Sequence, residues 1–220
     1  PAARELRSRA VPAWASLADV VRGASVRYEQ HADTDRTFAA FTLASGTRTF
    51  LAEEFASEFD GHIVDVGGGL GAVAVAIATH CPNATVSLVE RPEIADRARL
   101  ALGHERVDVH TSSTFQGAAD AAVMSRVLMN LDDDDATALL GEVRCWLHPD
   151  AVLTVLDVVG DGGAAGALLD VQLMARSGGA VRDRAQWSAL AEGAGFEIVE
   201  IVAVTPPLSA IRLRRRSKGD

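Results

Sequence analysis

One segment limits what this chain can fold into: an apolar run over residues 62–66 enters three consecutive glycines, Gly67 to Gly69. A strand that turns this sharply into a helix leaves backbone N–H groups pointing at the turn, and glycine lets a ligand approach them closely. A second apolar run ends at Glu90, nineteen residues after Gly71, where an acid can hold two ribose hydroxyls. The segment therefore predicts a βαβ unit that binds a nucleoside cofactor.

Two classes of cofactor fit this unit. The dinucleotide fingerprint can be forced onto Gly67, Gly69 and Ala72, so NAD is a competitor. Asp65, however, lies two positions before the first glycine, where a carboxylate can reach an ammonium group but would repel a pyrophosphate. The G-x-G-x-G spacing that ends at Gly71 is also the usual first motif of a methyltransferase. Both features favour S-adenosylmethionine.

Composition narrows the class of partner. The 220 residues are 48% hydrophobic and 23% charged, which is ordinary for one large globular domain or for a domain with an appendage. The formal net charge of -9 argues against nucleic acid or an anionic membrane, because phosphate contacts need a basic face. No apolar run reaches membrane-spanning length. Cys81 and Cys145 are too few for a disulfide framework and lack metal-ligand spacing, so we expect a reduced, cytoplasmic setting.

Three groups of charged residues are expected to stabilise the fold or to contact solvent rather than to carry out chemistry. The run from Asp132 to Asp135 is expected to cap the helix that follows, and no metal site is predicted there. The basic cluster 212–218 is expected to form a solvated tail after the last strand. Asp157, near the end of a predicted strand, is expected to make a polar contact at the edge of the cofactor site.

The remaining chain alternates between apolar runs and helix-forming stretches, a pattern that predicts a doubly wound parallel sheet. We expect strands at 62–66, 85–90, 106–110, 119–124 and 151–158, and helices at 71–81, 92–102, 133–147, 164–176 and 183–194. The last two strands, 196–204 and 208–213, are too close for a crossover helix and should pair antiparallel. Phenylalanines at roughly helical spacing from Phe38 to Phe59 predict a core-facing stripe, part of which could roof the site.

Five motifs, in order, resemble the S-adenosylmethionine-dependent O-methyltransferases that act on small molecules in plants and in bacterial polyketide pathways. They are a glycine motif (64–71), an acidic motif (89–94), a catalytic segment (126–133), a substrate helix with its turn (169–179), and a closing helix and strand (184–187 and 194–196). The resemblance covers roughly residues 25 to 214. It implies a Rossmann-like class I methyltransferase fold of the α/β class, with a parallel sheet, an antiparallel C-terminal strand and helices on both faces.

The resemblance also assigns roles to residues. The glycines and Asp65 would hold the methionine end of the cofactor, Glu90 the ribose, and Arg91 would lie beside the adenine. The implied cofactor-binding residues are Asp65, Gly67, Gly68, Gly69, Gly71, Glu90, Arg91, Ser113, Thr114, Phe115, Ser125 and Arg126. The residues expected to face the acceptor are Met129, Asn130, Asp170 and Met174.

Two positions depart from the commonest family pattern. Met129 replaces the histidine that serves as general base, and a thioether cannot take a proton near neutral pH. The acid after the third strand is missing, so Ser113 or Thr114 would have to substitute as a neutral partner. The segment 127–131 is most similar to the anthracycline-type branch, which also lacks the histidine and includes relatives that bind the cofactor but hydroxylate or decarboxylate. We therefore expect catalysis mainly by positioning.

These observations predict an O-methyltransferase of a small aromatic, polyketide-like natural product, with S-adenosylhomocysteine as the second product. Met129 and Asn130 are the predicted catalytic residues, with His110 as an alternative acid–base group. Rival interpretations are a cofactor-binding enzyme that does not methylate and a catalytically degenerate partner subunit.

The predicted organisation has three parts. Residues 1–60 form a helical segment, the remnant of a dimerisation domain; residues 61–214 form the methyltransferase domain; and residues 215–220 form a basic tail. Because only this last part of the family's dimerisation domain could be represented, we expect any homodimer to be weakened.

Overall fold

The computed structural model describes residues 17–22, 59–204 and 207–216. Within this part of the chain, one sheet contains seven strands: β1 (Gly61–Val66), β2 (Ala84–Val89), β3 (Val107–His110), β4 (Ala119–Ser125), β5 (Leu147–Val158), β6 (Phe196–Ala203) and β7 (Leu208–Arg215). Residues 17–21 are helical, and the helices that surround the sheet are α1 (Ala72–His80), α2 (Pro92–Ala101), α3 (Asp133–Trp146), α4 (Ala164–Ser177) and α5 (Arg184–Gly193). A 3₁₀ turn, Leu128–Asn130, follows β4 and is called the 128–130 turn below.

The strand order is β3-β2-β1-β4-β5-β7-β6. Strands β1 to β5 pair in parallel, whereas β7 runs antiparallel to both β5 and β6. The parallel pairs are joined by segments long enough to cross over the sheet, while only four residues separate β6 from β7. This arrangement confirms the fold class predicted from the sequence.

The sheet separates two apolar clusters. On one face, α3 and α5 bury Trp146 and Trp187 against the strands. On the other face, α1 supplies Ile77. Neighbouring residues of β1 point to opposite sides, with Val64 in the first cluster and Ile63 in the second. A strand that is covered on both faces has a nearly continuous apolar sequence. This explains the apolar runs from which the sheet was predicted.

Polar side chains fix the ends of several helices. Asp132 accepts a hydrogen bond from the N–H of Asp135 at 2.8 Å, so the acidic run begins as the cap of α3, as predicted. At the C-terminal end of α1, the side chain of Arg106 donates hydrogen bonds to carbonyl oxygens of the helix and of the chain that follows it. These acceptors are the carbonyls of Ala78, Cys81, Pro82 and Ala84.

Two sequence predictions need correction. Strand β5 begins at Leu147 rather than at 151, because Leu147 pairs with Ala119 before a shift in register returns the strand to β4 at Val152. The polar residues 148–150 hide this start in the sequence. The basic cluster is also not simply a tail: Arg212 and Arg215 belong to β7, where Arg212 pairs with Glu200 across the strands.

Of the predicted phenylalanine stripe, Phe59 is described and is buried beside α1; the others lie outside the described residues. Within residues 17–22, 59–204 and 207–216, no helix is both long and apolar enough to cross a membrane. The same ranges contain no group of three His, Cys, Asp or Glu side chains arranged to hold a metal ion.

Candidate functional site

The glycine turn between β1 and α1 forms one wall of the site. Gly67, Gly69 and Gly71 all have positive φ angles, of 68°, 63° and 83°, a conformation that side chains other than glycine adopt only with strain. At Gly69, a Cβ would meet no atom of the described chain within 4 Å. The side of the Gly69 backbone that a Cβ would occupy is therefore open to a ligand.

Asp65 lies beneath this turn at the end of β1 and is fully buried. One carboxylate oxygen, Oδ2, accepts the N–H of Ala74 at 3.0 Å, whereas Oδ1 has no hydrogen-bond partner among the described residues. Burial raises the pKa of Asp65 to about 7; the Ala74 N–H opposes this shift, and the charge of Glu90 adds to it. A buried carboxylate oxygen without a partner is suited to a ligand that brings a positive charge.

Glu90 closes the opposite side of the turn. Its Oε1 accepts the N–H of Gly69 at 3.0 Å, and its Oε2 accepts the N–H of Arg91 at 2.8 Å. The side chain is buried at the end of β2, next to the open backbone of Gly69. A carboxylate fixed in this position can accept hydrogen bonds from a pair of vicinal hydroxyls. The exposed Arg91 forms an ion pair with Glu93 at 3.5 Å.

The loop after β3 is held by its own hydroxyl groups. Thr114 Oγ1 accepts the N–H of Thr111 at 2.8 Å, and the hydroxyls of Thr111 and Ser113 lie 3.0 Å apart. The Thr114 hydroxyl therefore fixes the loop. Both Ser113 and Thr114 are exposed at the carboxyl edge of the sheet.

Phe115 belongs to the apolar core. It is 6% exposed, and its ring packs edge-on against Trp146 and His110, with centroid distances of 5.3 and 5.6 Å. The ring that the sequence analysis expects to contact adenine therefore packs against other side chains of the protein.

The segment from β4 into the 128–130 turn forms the second wall. Ser125 Oγ is buried without a hydrogen-bond partner in the described chain. Arg126 has a φ of 60°, and it is the one non-glycine residue of the described chain with a positive φ. Asn130 stabilises this conformation, because its Nδ2 donates to the carbonyl of Arg126 at 2.7 Å. Strained backbone of this kind persists where surrounding contacts enforce it, often at functional sites.

Met129 lies at the centre of the turn. Its side chain is buried against Val158, Leu173 and Leu208, and its N–H donates to Asp157 Oδ2 at 2.9 Å. Burial raises the pKa of Asp157 to about 6, against the opposing effects of the Val158 and Met129 N–H groups and of nearby arginines. Both carboxylate oxygens of Asp157 accept hydrogen bonds from backbone N–H groups, and the one from Met129 fixes the 128–130 turn to the end of β5.

A family model described as an O-methyltransferase domain matches residues 42–197, which is more than half of the chain. The chain belongs to the O-methyltransferase domain family. This confirms the resemblance carried by the motifs and favours a methyltransferase fold over an NAD-binding domain.

Two curated relatives of this O-methyltransferase domain come from Streptomyces. It is 34% identical over 186 residues to the 8-amino-8-demethylriboflavin N,N-dimethyltransferase of Streptomyces davaonensis, a match that covers 78% of this chain and 53% of that one. It is 39% identical over 150 residues to the aclacinomycin 10-hydroxylase RdmB of Streptomyces purpurascens, covering 62% and 40% of the two chains. The chain thus spans about half the length of these relatives.

Solved structures give the same fold. The mitomycin 7-O-methyltransferase MmcR matches with a TM-score of 0.80 at 26% identity, over 92% of this chain and 67% of that one. Other solved methyltransferases that match this fold were determined with S-adenosylmethionine or S-adenosylhomocysteine bound.

Helix α4 carries two of the predicted acceptor residues, Asp170 and Met174, and packs Leu173 against Met129. Met174 is half-buried on α4. Asp170 Oδ1 accepts the N–H of Val181 at 2.7 Å, so this carboxylate also holds the chain that returns after α4. Asn130 Oδ1 accepts a hydrogen bond from Arg176 at 3.1 Å, which joins α4 to the turn.

Two residues outside the 128–130 turn hold it in place; the sequence motifs included Gly179 without this role and missed Arg182. Gly179 approaches it so closely that a Cβ would lie 2.1 Å from the carbonyl oxygen of Met129. Arg182 is 1% exposed and bonded to the backbone on both sides of the turn. The sequence did mark Gly179 through its double glycine, but nothing in a single sequence marks Arg182 as buried.

Proposed function

We propose that this chain is the catalytic domain of an S-adenosylmethionine-dependent O-methyltransferase that acts on a hydroxyl group of a small aromatic natural product. The observation that carries the proposal is the arrangement of two walls at one sheet edge. Asp65, the glycine turn and Glu90 form a nucleoside-cofactor site, and the turn with Met129 follows the adjacent strand. Membership of the O-methyltransferase domain family supports this assignment.

The cofactor would be held by residues whose unsatisfied or open groups suit it. Glu90 would bind the ribose hydroxyls, and the buried Asp65 Oδ1 would face the charged methionine end, with the open backbone of Gly69 between them. Ser125 Oγ offers a further hydrogen-bonding group at the carboxyl end of β4. When bound, S-adenosylmethionine supplies a methyl group on a sulfonium, which is a good leaving group.

Catalysis then depends on placing the acceptor oxygen. Met129 cannot accept a proton, and both polar ends of the Asn130 amide are bonded within the protein. Holding a nucleophile in line at about 3 Å contributes as much as ~7–11 kcal/mol to lowering a barrier of this kind. A phenol with a pKa near 10 needs only modest help to lose its proton. The 128–130 turn would therefore act by aligning the acceptor.

A second candidate function keeps the cofactor but transfers no methyl group. It is favoured by one specific pair of observations: the absence of a basic side chain at Met129 and the 39% identity to a 10-hydroxylase. In that case the positive charge of the cofactor would assist a different reaction of the same class of aromatic compound.

A labelling experiment tests the proposal. The protein is incubated with S-adenosylmethionine labelled in the methyl group and with 1,4-dihydroxy-2-naphthoic acid and an extract of aromatic polyketides as acceptors. Label in an aromatic product, together with unlabelled S-adenosylhomocysteine, is the expected result. Product without label would favour the second candidate. Cofactor binding without any product would contradict both and favour a degenerate subunit.

A further inference from the structure

The 128–130 turn is held in place by a buried arginine that lies outside the predicted site. Arg182 follows α4 and is 1% exposed. Its Nη1 donates to the carbonyl of Leu128 at 2.8 Å, and its Nη2 donates to the carbonyl of Leu131, also at 2.8 Å. These two carbonyls flank Met129 and Asn130, so one guanidinium spans the whole turn.

The same guanidinium is fixed from the other side. Its Nε donates to Asp133 Oδ1 at 2.8 Å, at the first residue of α3. Its plane faces the ring of Trp187 on α5, with 5.9 Å between Cζ and the ring centroid. The backbone carbonyl of Arg182 accepts the N–H of Gly160 at 2.9 Å, which anchors the residue to the chain after β5. Contacts from α3, from α5 and from the chain after β5 therefore fix the residue that binds both carbonyls of the turn.

Other contacts leave the turn little freedom to shift. Asp157 holds the N–H of Met129 from below, and the backbone of Gly179 fills the space beside the Met129 carbonyl. Neither contact holds the carbonyls of Leu128 and Leu131, which are the groups that Arg182 fixes. The forked guanidinium can hold both carbonyls at once, and a lysine ammonium cannot reproduce that geometry.

We infer that Arg182 is a positioning residue for the acceptor: it fixes the 128–130 turn and thereby Met129, which the proposed function places beside the acceptor. This inference rests on the proposed function, because it assigns the effect to acceptor alignment. Arg182 makes no hydrogen bond to the glycine turn or to Glu90 in the described chain, so we expect cofactor affinity to be independent of it.

The test uses Arg182→Lys, with Arg106→Lys as the matched control. Arg106 also binds several backbone carbonyls, but at the end of α1 and away from the turn. We expect Arg182→Lys to lower kcat/KM for the acceptor about 10- to 100-fold, the scale of a misplacement near 1 Å, with an unchanged Kd for S-adenosylhomocysteine. Arg106→Lys should reduce thermal stability and leave kcat/KM unchanged.

A second readout does not depend on activity. The chain contains three methionines, Met124, Met129 and Met174, whose methyl groups can be labelled with ¹³C and resolved by NMR. In Arg182→Lys the Met129 signal should shift or broaden, while the signal of Met124, buried in β4, should stay in place. In Arg106→Lys the Met129 signal should not move.

A milder pair of variants covers the case in which Arg182→Lys does not fold. Asp133→Ala removes the ion-pair partner of Arg182, whereas Asp134→Ala removes the neighbouring acid from the same helical turn. The inference requires that Asp133→Ala alone disturb the Met129 signal and lower kcat. An unchanged Met129 signal in both Arg182→Lys and Asp133→Ala would overturn it, and so would a loss of activity in Arg106→Lys equal to that in Arg182→Lys. If the parent protein methylates no acceptor, the proposed function fails, yet the NMR comparison still decides whether Arg182 fixes the turn.

Discussion

At the scale of single residues, Asp65 is the clearest case of a side chain placed at a cost to the fold. It is fully buried, one of its oxygens lacks a partner in the described chain, and burial raises its pKa from 3.8 to about 7. Groups of this kind cluster at functional sites because a ligand supplies the missing interaction.

This pKa predicts how stability depends on pH. Between about pH 4 and 7 the folded protein keeps a proton on Asp65 that the unfolded chain has lost, so the free energy of unfolding should fall as the pH rises. The slope is at most ~1.4 kcal/mol per pH unit for one group. Asp65→Asn, measured by urea unfolding from pH 4.5 to 7.5, should flatten the curve between pH 6 and 7. Below that, Asp157 with a pKa of about 6 still contributes in the same direction. A slope unchanged from the parent, or one equally changed by exposed Asp134→Asn, would contradict the assignment.

Met129 carries the prediction about mechanism. If the acceptor is aligned rather than deprotonated by a side chain, Met129→His should introduce base assistance and raise kcat towards unactivated phenols, by up to ~10²–10⁴-fold where the geometry permits. Initial rates with labelled cofactor measure this effect. His110→Ala is the control: loss of turnover with intact fold and cofactor affinity would mean that His110 is the base and that positioning is the wrong account.

At the scale of elements, the close approach of Gly179 to the 128–130 turn makes a second testable contrast. An added Cβ at Gly179 would lie 2.1 Å from Met129 O, whereas at Gly141, within α3, it would meet nothing in the described chain within 4 Å. Gly179→Ala should therefore destabilise the fold by about 1–3 kcal/mol and lower kcat. Gly141→Ala should stabilise by roughly 0.5–1 kcal/mol, because a helical glycine is replaced. Urea unfolding of both variants checks this prediction, and equal effects would show that the chain after α4 can move away from the turn at little cost.

The same scale shows where sequence reasoning stops. The strands and helices were predicted to within a few residues, because buried strands and helix caps such as Asp132 depend on local patterns. The start of β5 was missed, because Leu147 pairs with a distant strand across a polar interruption. The glycine turn and Glu90 lie together as the motif predicts. Arg182 and Asp157 act on the turn through tertiary contacts, and no spacing in the sequence encodes those contacts.

For the whole molecule, cofactor binding should appear as stability. A ligand that binds only the folded state at 100 times its Kd adds about 2.7 kcal/mol to the free energy of unfolding. S-adenosylhomocysteine should therefore raise the Tm, and NAD should not.

Glu90→Ala should weaken S-adenosylhomocysteine binding by roughly 1–3 kcal/mol, the scale for a lost partner of buried polar groups. Glu142→Ala, at an exposed position on α3, serves as the control. Stabilisation by NAD alone would overturn the cofactor assignment.

The strand order has a consequence for how such a chain can change. From β1 the chain moves towards β2 and β3, and from β4 it moves the opposite way towards β5, so the following helices cover opposite faces. The connections therefore diverge between the carboxyl ends of β1 and β4, beside Asp65 and Ser125, and this is the place where open α/β sheets bind their ligands. The divergence is a product of connectivity and needs no particular side chain to exist. Substitutions around it can exchange one chemistry for another while the architecture beneath stays the same.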